Sequence, residues 1–222
     1  MEKKLKTKIS FLSTRVDLST YFFLIEGLVS HLFLYCNEEN HMDGSQYADM
    51  LGFLGDIGPP LLDDATLSNV RASGVGLIHM TTAWPFLNWA DTIKMHRKMK
   101  AGLAAKEASF RLLEIKADLE AAQSKKKIGI LLGIQDPAFI GDDLDRIAQL
   151  FDEGVRVMQI AYQQKGLYGS GFLMDDRDEG LTKAGTRLVR NINDRGIILD
   201  LSHTAPRTAL EAIDQSDGPT MI

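Results

Sequence analysis

The sequence predicts a parallel α/β barrel, and three observations carry the prediction. Short apolar runs alternate with amphipathic helical segments, strand then helix, five times along the chain. Between Gly129 and His203 three buried-type strands each run out into a polar residue, Gln135, Tyr162 and His203; in such barrels the catalytic groups sit where strands pass into loops. No G-x-G-x-x-G follows the first strand, which argues against a dinucleotide-binding sheet, and Gly169-Ser170-Gly171 opens no helix that would cradle a phosphate.

Composition narrows the function classes. The chain of 222 residues is 45% hydrophobic and 25% charged, ordinary for a soluble globular protein and enough for one substantial core. A net charge of −5 leaves no broad basic surface, so no nucleic-acid partner is expected. The single cysteine, Cys36, excludes an intramolecular disulfide framework and a CxxC zinc knuckle, and is read as a small buried hydrophobe. The start, MEKKLKTK, is basic, and Leu18 to Tyr35 is fairly apolar, which imitates a signal or anchor. Glu26 and His31 interrupt that run, and a charge in mid-bilayer costs about 2.5–3.5 kcal/mol on insertion scales. The expectation is a basic, poorly ordered lead over residues 1–20, no membrane segment and a cytoplasmic protein, with residues 21–222 forming the barrel.

The elements follow in order. Tyr21 to Ser30 reads as a first internal strand. Cys36 to Pro60, rich in Gly, Asn, Asp and Pro, reads as a long loop. Asp63 or Asp64 caps a helix to Ser73, with Gly74 as its stop. Val75 to Thr82 is the second strand, and Pro85 to about Leu113 a long helix with Phe86, Trp89, Ile93 and Met95 on its apolar face. His96 falls among Lys94, Arg97, Lys98 and Lys100 and is expected to face solvent. Lys116 to Ser124 is a helix closed by Lys125–Lys127, a charge run that suits a helix C-terminus better than a nucleic-acid patch. Strands at Ile128–Ile134, Val155–Ala161 and Ile197–Leu201 then alternate with helices at Asp142–Glu153, capped by Asp142 or Asp143, at Leu181–Arg195 and at Ala205–Gln215. PTMI opens a sixth strand. An eight-unit barrel takes about 250 residues, so about five to six units are expected here.

The strand ends carry the candidate chemistry. His203 follows the aliphatic IILDLS and precedes a helix, which points its imidazole into the barrel mouth; position alone leaves a ligand or catalytic role and a structural role equally open. Asp200 could orient a neighbouring ligand or be a buried charge with a structural partner. His79, on the strand face opposite Ile78 and Met80, is read as a satisfied core histidine, with a lumen-facing position as the alternative. His31 has no discriminating context.

IGDDLDRIAQLFDEGVRVMQIAY, DEGLTKAGTRLVRNINDRG and IILDLSH together resemble the membrane dipeptidase (renal dipeptidase) family of zinc peptidases. The similarity is strong over Lys127 to Ile222 and weaker back to about Phe23. The resemblance implies a TIM-type (β/α) barrel of the metal-dependent hydrolase kind. It also implies two zinc ions at the barrel's C-terminal mouth, hydrolysing dipeptides through a metal-bridging water. Two cations about 3.5–4 Å apart need a bridging carboxylate, which the family takes from an IEG motif. A DGHxD-type motif, the histidine of LSH and a later SHS motif supply the other ligands.

The chain departs from that pattern. LIEGLVS puts Leu28 and Ser30 where His and Asp belong. Ile134-Gln135-Asp136 replaces IEG, so Gln135 is a neutral amide that could touch one metal through its carbonyl oxygen but cannot neutralise two. Asp136 could replace the carboxylate, but strand alternation turns it away from Gln135. Tyr162 stands where the family often has a substrate-contacting histidine, His203 is the ligand retained, and SHS would begin just after Ile222. His41-Met42-Asp43 is a literal HxD in a polar loop and could be a displaced ligand pair. The expected function is a zinc-dependent dipeptidase-like hydrolase, with one zinc or none, a dipeptide or other small substrate, and a homodimer as a possible assembly. The alternatives are an inactive barrel that binds a small ligand or partner, and a truncated, non-functional fragment.

Overall fold

The computed structural model describes residues 47–52, 64–72, 74–83 and 86–222. The expected basic lead, the expected first strand at Tyr21–Ser30, Cys36, His31, and the His41–Asp43 pair lie outside them. The elements are β1 (Tyr47–Gly52), α1 (Asp64–Ala72), β2 (Val75–Thr81), α2 (Trp89–Ala104), β3 (Phe110–Leu112), α3 (Lys116–Ser124), β4 (Ile128–Ile134), α4 (Asp145–Asp152), β5 (Val155–Gln159), α5 (Lys183–Asp194), β6 (Ile198–Asp200), α6 (Pro206–Gln215) and β7 (Thr220–Met221). Short 3-10 segments cover Pro137–Ile140 and Phe172–Arg177.

The strands form one parallel sheet in the order β1-β2-β4-β5-β6-β7, with β3 also paired to β4. β2 occupies one edge of β4 over Gly129–Gly133. The other edge is shared: β3 pairs with Ile128–Ile130 and β5 with Leu132–Ile134. β4, IGILLGI, is buried at every position, the near-continuous apolar run expected of a parallel strand covered on both faces.

Alternation along the strands separates two layers. On the outer face, Ile134, Met158 and Leu199 pack against Ile147 and Leu150 of α4, Leu188, Val189 and Ile192 of α5, and Ala212 and Ile213 of α6. A second outer cluster sets Ile78, Met80, Ile130 and Leu132 against Leu67 of α1 and Met99 and Leu103 of α2. The inner face gathers Leu77, Leu131, Val157, Ile198 and Met221, joined by Leu113 and by Leu119 of α3. Period-2 spacing then sets His79, Gly133, Gln159 and Asp200 on that inner face, two residues beyond the apolar ones. The lumen therefore turns from apolar to polar toward the C-terminal ends of the strands.

Several expectations are corrected. The segment read as a loop from Cys36 to Pro60 contains β1, paired to β2 from Tyr47↔Val75 to Gly52↔Met80. The helix expected to run from Pro85 to Leu113 starts at Trp89, capped by Asn88, whose side chain accepts the Asp91 N–H at 3.0 Å, and stops at Ala104. Phe110–Leu112 is extended instead, because Ile128–Ile130 offers it a parallel partner. His96 is fully buried, not solvent-facing; with Thr92, Met99 and Leu103 it forms the inner stripe of α2. Asp142 and Asp143 lie before α4 and do not cap it; the capping residue is Leu144, without a side-chain hydrogen bond.

Two remote acids fasten the later helices. Asp178, in the loop before α5, accepts the Thr208 backbone N–H of α6 at 2.9 Å and its hydroxyl at 2.6 Å. Burial pushes the pKa of that carboxyl up, but these hydrogen bonds outweigh it and hold it below the ordinary range. Glu211 of α6 accepts the Leu181 N–H at 2.7 Å, so the segment leading into α5 is tied back to α6.

Candidate active site at the barrel mouth

The polar ring at the strand ends is built by β4, β5 and β6. Gln135 follows β4 directly and is buried. Gln159 is the last residue of β5 and is fully buried; it pairs in register with Asp200, the last residue of β6. Asp200 is 1% exposed. Its Oδ1 accepts the Ser202 backbone N–H at 2.8 Å, and the amide of Gln159 donates to the Ser202 carbonyl. Burial pushes the Asp200 carboxyl upward, against the opposing pull of the Ser202 hydrogen bonds and of His79 and His203. Asp200 Oδ2 and Gln159 Oε1 have no hydrogen-bond partner among the described residues.

His203 has φ of +61°, the left-handed region, which costs a non-glycine residue about 1–2 kcal/mol. Its carbonyl accepts the Phe172 N–H at 2.8 Å, and the Thr204 N–H closes a turn onto the Leu201 carbonyl at 3.1 Å. The imidazole sits between two aromatic rings. Tyr162 meets it edge-on at 4.8 Å between centroids, and Phe172 lies tilted at 5.5 Å. Phe172 is 43% exposed, so this aromatic wall faces the mouth.

The loop that brings Phe172 to the site is itself anchored. Tyr168 is buried, its hydroxyl donates to the Gly141 carbonyl at 2.7 Å, and burial pushes its phenol upward. The Tyr168 carbonyl accepts from the Thr182 N–H at 3.0 Å and its hydroxyl at 3.1 Å. Ala205, ahead of α6, donates its N–H to the Ser170 carbonyl at 2.9 Å. A Cβ at Gly171 would lie 2.4 Å from the Tyr162 carbonyl, so only glycine allows the loop to pass there.

Of the residues singled out by sequence, His203 and Tyr162 are brought together, and Gln135 ends the strand beside β5. Asp136 does turn away, but by a different route from strand alternation: its φ is +47°, and its Oδ1 accepts the Ala138 N–H at 3.1 Å as cap of the 3-10 turn. Burial pushes its carboxyl upward, more than that hydrogen bond lowers it. His79 is both buried and on the inner face. Its ring covers Gly133 so closely that a Cβ there would fall within 1.9 Å of Nε2. Sequence reasoning missed Gln159 and Phe172. Gln159 was findable: it is the polar residue of VRVMQIA sharing strand parity with Val157. Nothing local singled out Phe172, because its place depends on where the loop folds back.

A zinc pair needs a bridging carboxylate and several imidazole or carboxylate ligands. Among the described residues no three His, Cys, Asp or Glu side chains are placed to hold a metal ion. Gln135 is a neutral amide and Asp136 is committed to its turn, which leaves the His203 imidazole as the ligating group beside Tyr162 and Phe172. The described residues do not fit a two-zinc centre.

The family model for membrane dipeptidase (peptidase family M19) matches residues 63–222. An uncharacterized dipeptidase of Schizosaccharomyces pombe is 32% identical over 99 residues, which is 44% of this chain and 24% of that protein. An amidohydrolase from Pseudomonas aeruginosa superimposes with a TM-score of 0.69 at 24% identity, covering 78% of this chain and 50% of its own. A metallopeptidase from Rhodobacter sphaeroides, solved with a phosphinate mimic of the dipeptide L-Ala-D-Ala, gives 0.63 at 19% identity, covering 69% of this chain and 54% of its own. These likenesses establish the fold, a parallel (β/α) barrel seen in part, and the chain spans about half the length of the solved relatives. With a match that takes in most of its length, this chain belongs to the membrane dipeptidase family.

Proposed function

We propose that this barrel is a dipeptidase-like metallohydrolase acting on small peptides, with His203 as its zinc-binding group among the described residues and at most one ion held there. The observation that carries the reading is the position of His203: after an inner-face strand, in the mouth, beside Tyr162 and Phe172. The substrate class is taken from the family match and is supported by the dipeptide mimic in the Rhodobacter sphaeroides relative. In this reading the Gln135 amide and the Tyr162 and Phe172 rings contact a dipeptide. A cytoplasmic location and a homodimer belong to the same proposal; no described helix is long and apolar enough to cross a membrane.

A second reading has one observation in its favour. Gln135 in place of a bridging carboxylate suits a barrel that binds a small ligand without hydrolysing it. Elemental analysis of the purified chain separates the two. The hydrolase reading expects near-stoichiometric zinc that His203→Ala abolishes, with cleavage of simple dipeptides in added zinc. Absence of both zinc and cleavage in folded protein overturns it and leaves the binding reading. Gln135→Glu, which restores a carboxylate, is expected to raise zinc uptake on the first reading.

A further inference from the structure

The peptide units on either side of His203 are held by groups far from it in sequence. The Ser202 carbonyl, which belongs to the peptide entering His203, accepts from the Gln159 side chain. One peptide earlier, the Ser202 N–H is held by Asp200 Oδ1 at 2.8 Å. On the far side, the His203 carbonyl accepts from Phe172 N–H at 2.8 Å, and the Thr204 N–H reaches the Leu201 carbonyl at 3.1 Å. With both flanking peptide planes fixed, the φ of +61° at His203 is over-determined. Gln159 and Asp200 are register partners on neighbouring strands, at 0% and 1% exposure. They spend one polar atom each on Ser202, and neither touches the mouth through solvent. Two buried polar side chains in the lumen of a barrel, converging on one half-buried turn, need a reason beyond packing, because an apolar pair would fill the same space without desolvation cost.

We propose that Gln159 and Asp200 are positioning residues: together they clamp the Ser202 backbone, and through it hold His203 in its left-handed conformation with the imidazole seated between Tyr162 and Phe172. This deepens the proposed function, resting on His203 as the working group of the mouth. It differs from a ligand role for either residue, since both act on backbone atoms. The chemistry of each contact is specific. Ser202 N–H needs an acceptor, which an asparagine oxygen also supplies; the Ser202 carbonyl needs a donor, which only an amide at position 159 supplies.

The test uses the full chain, metal-free, with labelled histidines observed by NMR. Ring currents from Tyr162 and Phe172 displace the His203 ring-proton signals, and His203→Gln assigns them. Gln159→Met and Asp200→Ala are expected to remove most of that displacement, while Asp200→Asn keeps it. Leu150→Ala, a core truncation under α4, is expected to lower stability and leave the His203 signals where they are, so a displacement in the clamp variants does not come from lost stability. Unmoved His203 signals in Gln159→Met, or indistinguishable signals in Asp200→Ala and Asp200→Asn, overturn the assignment. If Gln159→Met fails to fold, the Asp200 pair decides alone. Because no zinc or substrate is present, lack of zinc binding or cleavage in the native chain counts against the hydrolase reading and leaves this one standing.

Discussion

At the scale of single residues, His96 joins local chemistry to stability most directly. A neutral imidazole here donates Nε2–H to the Glu153 carbonyl at 3.1 Å, and Nδ1 then accepts from the Thr82 hydroxyl at 2.7 Å in place of the Gly133 carbonyl 3.0 Å from that hydroxyl. Burial lowers its pKa from the ordinary 6.5, opposed by the Glu153 carbonyl and carboxylate and assisted by Lys100 and Arg97. In the unfolded chain the ring titrates near its ordinary value, so below it the unfolded state binds the extra proton. Stability from this group is thus fully present above about pH 6.5 and declines as pH falls toward the folded value, about 1.4 kcal/mol per unit at most. Urea titrations across that window are expected to show the decline, and His96→Gln to flatten it while lowering stability throughout. Matching pH slopes in the two proteins would remove His96 as the cause. None of this was visible from composition. Lys94, Arg97, Lys98 and Lys100 surround His96 in sequence and suggest a wet face, yet the buried stripe Thr92, His96, Met99, Leu103 passes between them. Gln159 escaped for the opposite reason, a polar residue submerged in an apolar strand, where alternation held the clue that composition hid.

At the scale of elements, two helical glycines with opposite surroundings make a paired prediction. Gly102 in α2 would meet nothing within 4 Å if given a Cβ. Replacing it with alanine is expected to stabilise by about 0.5–1 kcal/mol, through helix propensity and a less disordered unfolded chain. Gly185 in α5 would place a Cβ 2.0 Å from the Tyr168 carbonyl. The same substitution there is expected to destabilise, by roughly 1–3 kcal/mol as an overpacked contact, and to loosen the loop that carries Phe172. Denaturant midpoints for both variants check the signs; a stabilising Gly185→Ala would mean that the loop does not bear on α5. The long helices and inner strands were legible because their apolar spacing is sustained, as in Ile128–Ile134 and the helix opened by Thr182, whose hydroxyl accepts the Gly185 N–H at 2.9 Å. β1 and β3 were not. YADMLG carries no apolar alternation, and Phe110–Leu112 lies inside a stretch whose Ala, Lys and Glu favour helix. Both are extended only because a neighbouring strand pairs with them, information that resides at positions 75–80 and 128–130.

At the scale of the whole molecule, cohesion is unevenly distributed. β4, β5 and β6 have partners on both edges, and the outer cluster packs α4, α5 and α6 against them. Among the described residues β1 pairs only with β2, and β7 only with β6. A strand flanked on one side and covered by fewer side chains opens at lower free energy than one locked on both. Arg156 on β5 adds to the central block: its guanidinium donates to the Glu114 carbonyl at 2.9 Å and the Phe151 carbonyl at 2.7 Å, and it lies 3.9 Å over the Phe151 ring. Burial lowers its pKa despite Glu114, Asp118 and Asp152 nearby, and no carboxylate hydrogen bond to it is found among the described residues. Native-state hydrogen exchange is therefore expected to show β4 and β5 exchanging only with global unfolding, and β1 and β7 at least about tenfold faster through local opening. The clamp on Ser202 spans β5 and β6, so the mouth is expected to follow the slow block and not the edges, with the Ser202 amide protected alongside β6. Uniform protection from β1 to β7 would mean that the sheet unfolds as one unit. Fast exchange at Ser202 beside slow exchange in β5 would separate the mouth from the scaffold on which its histidine is set.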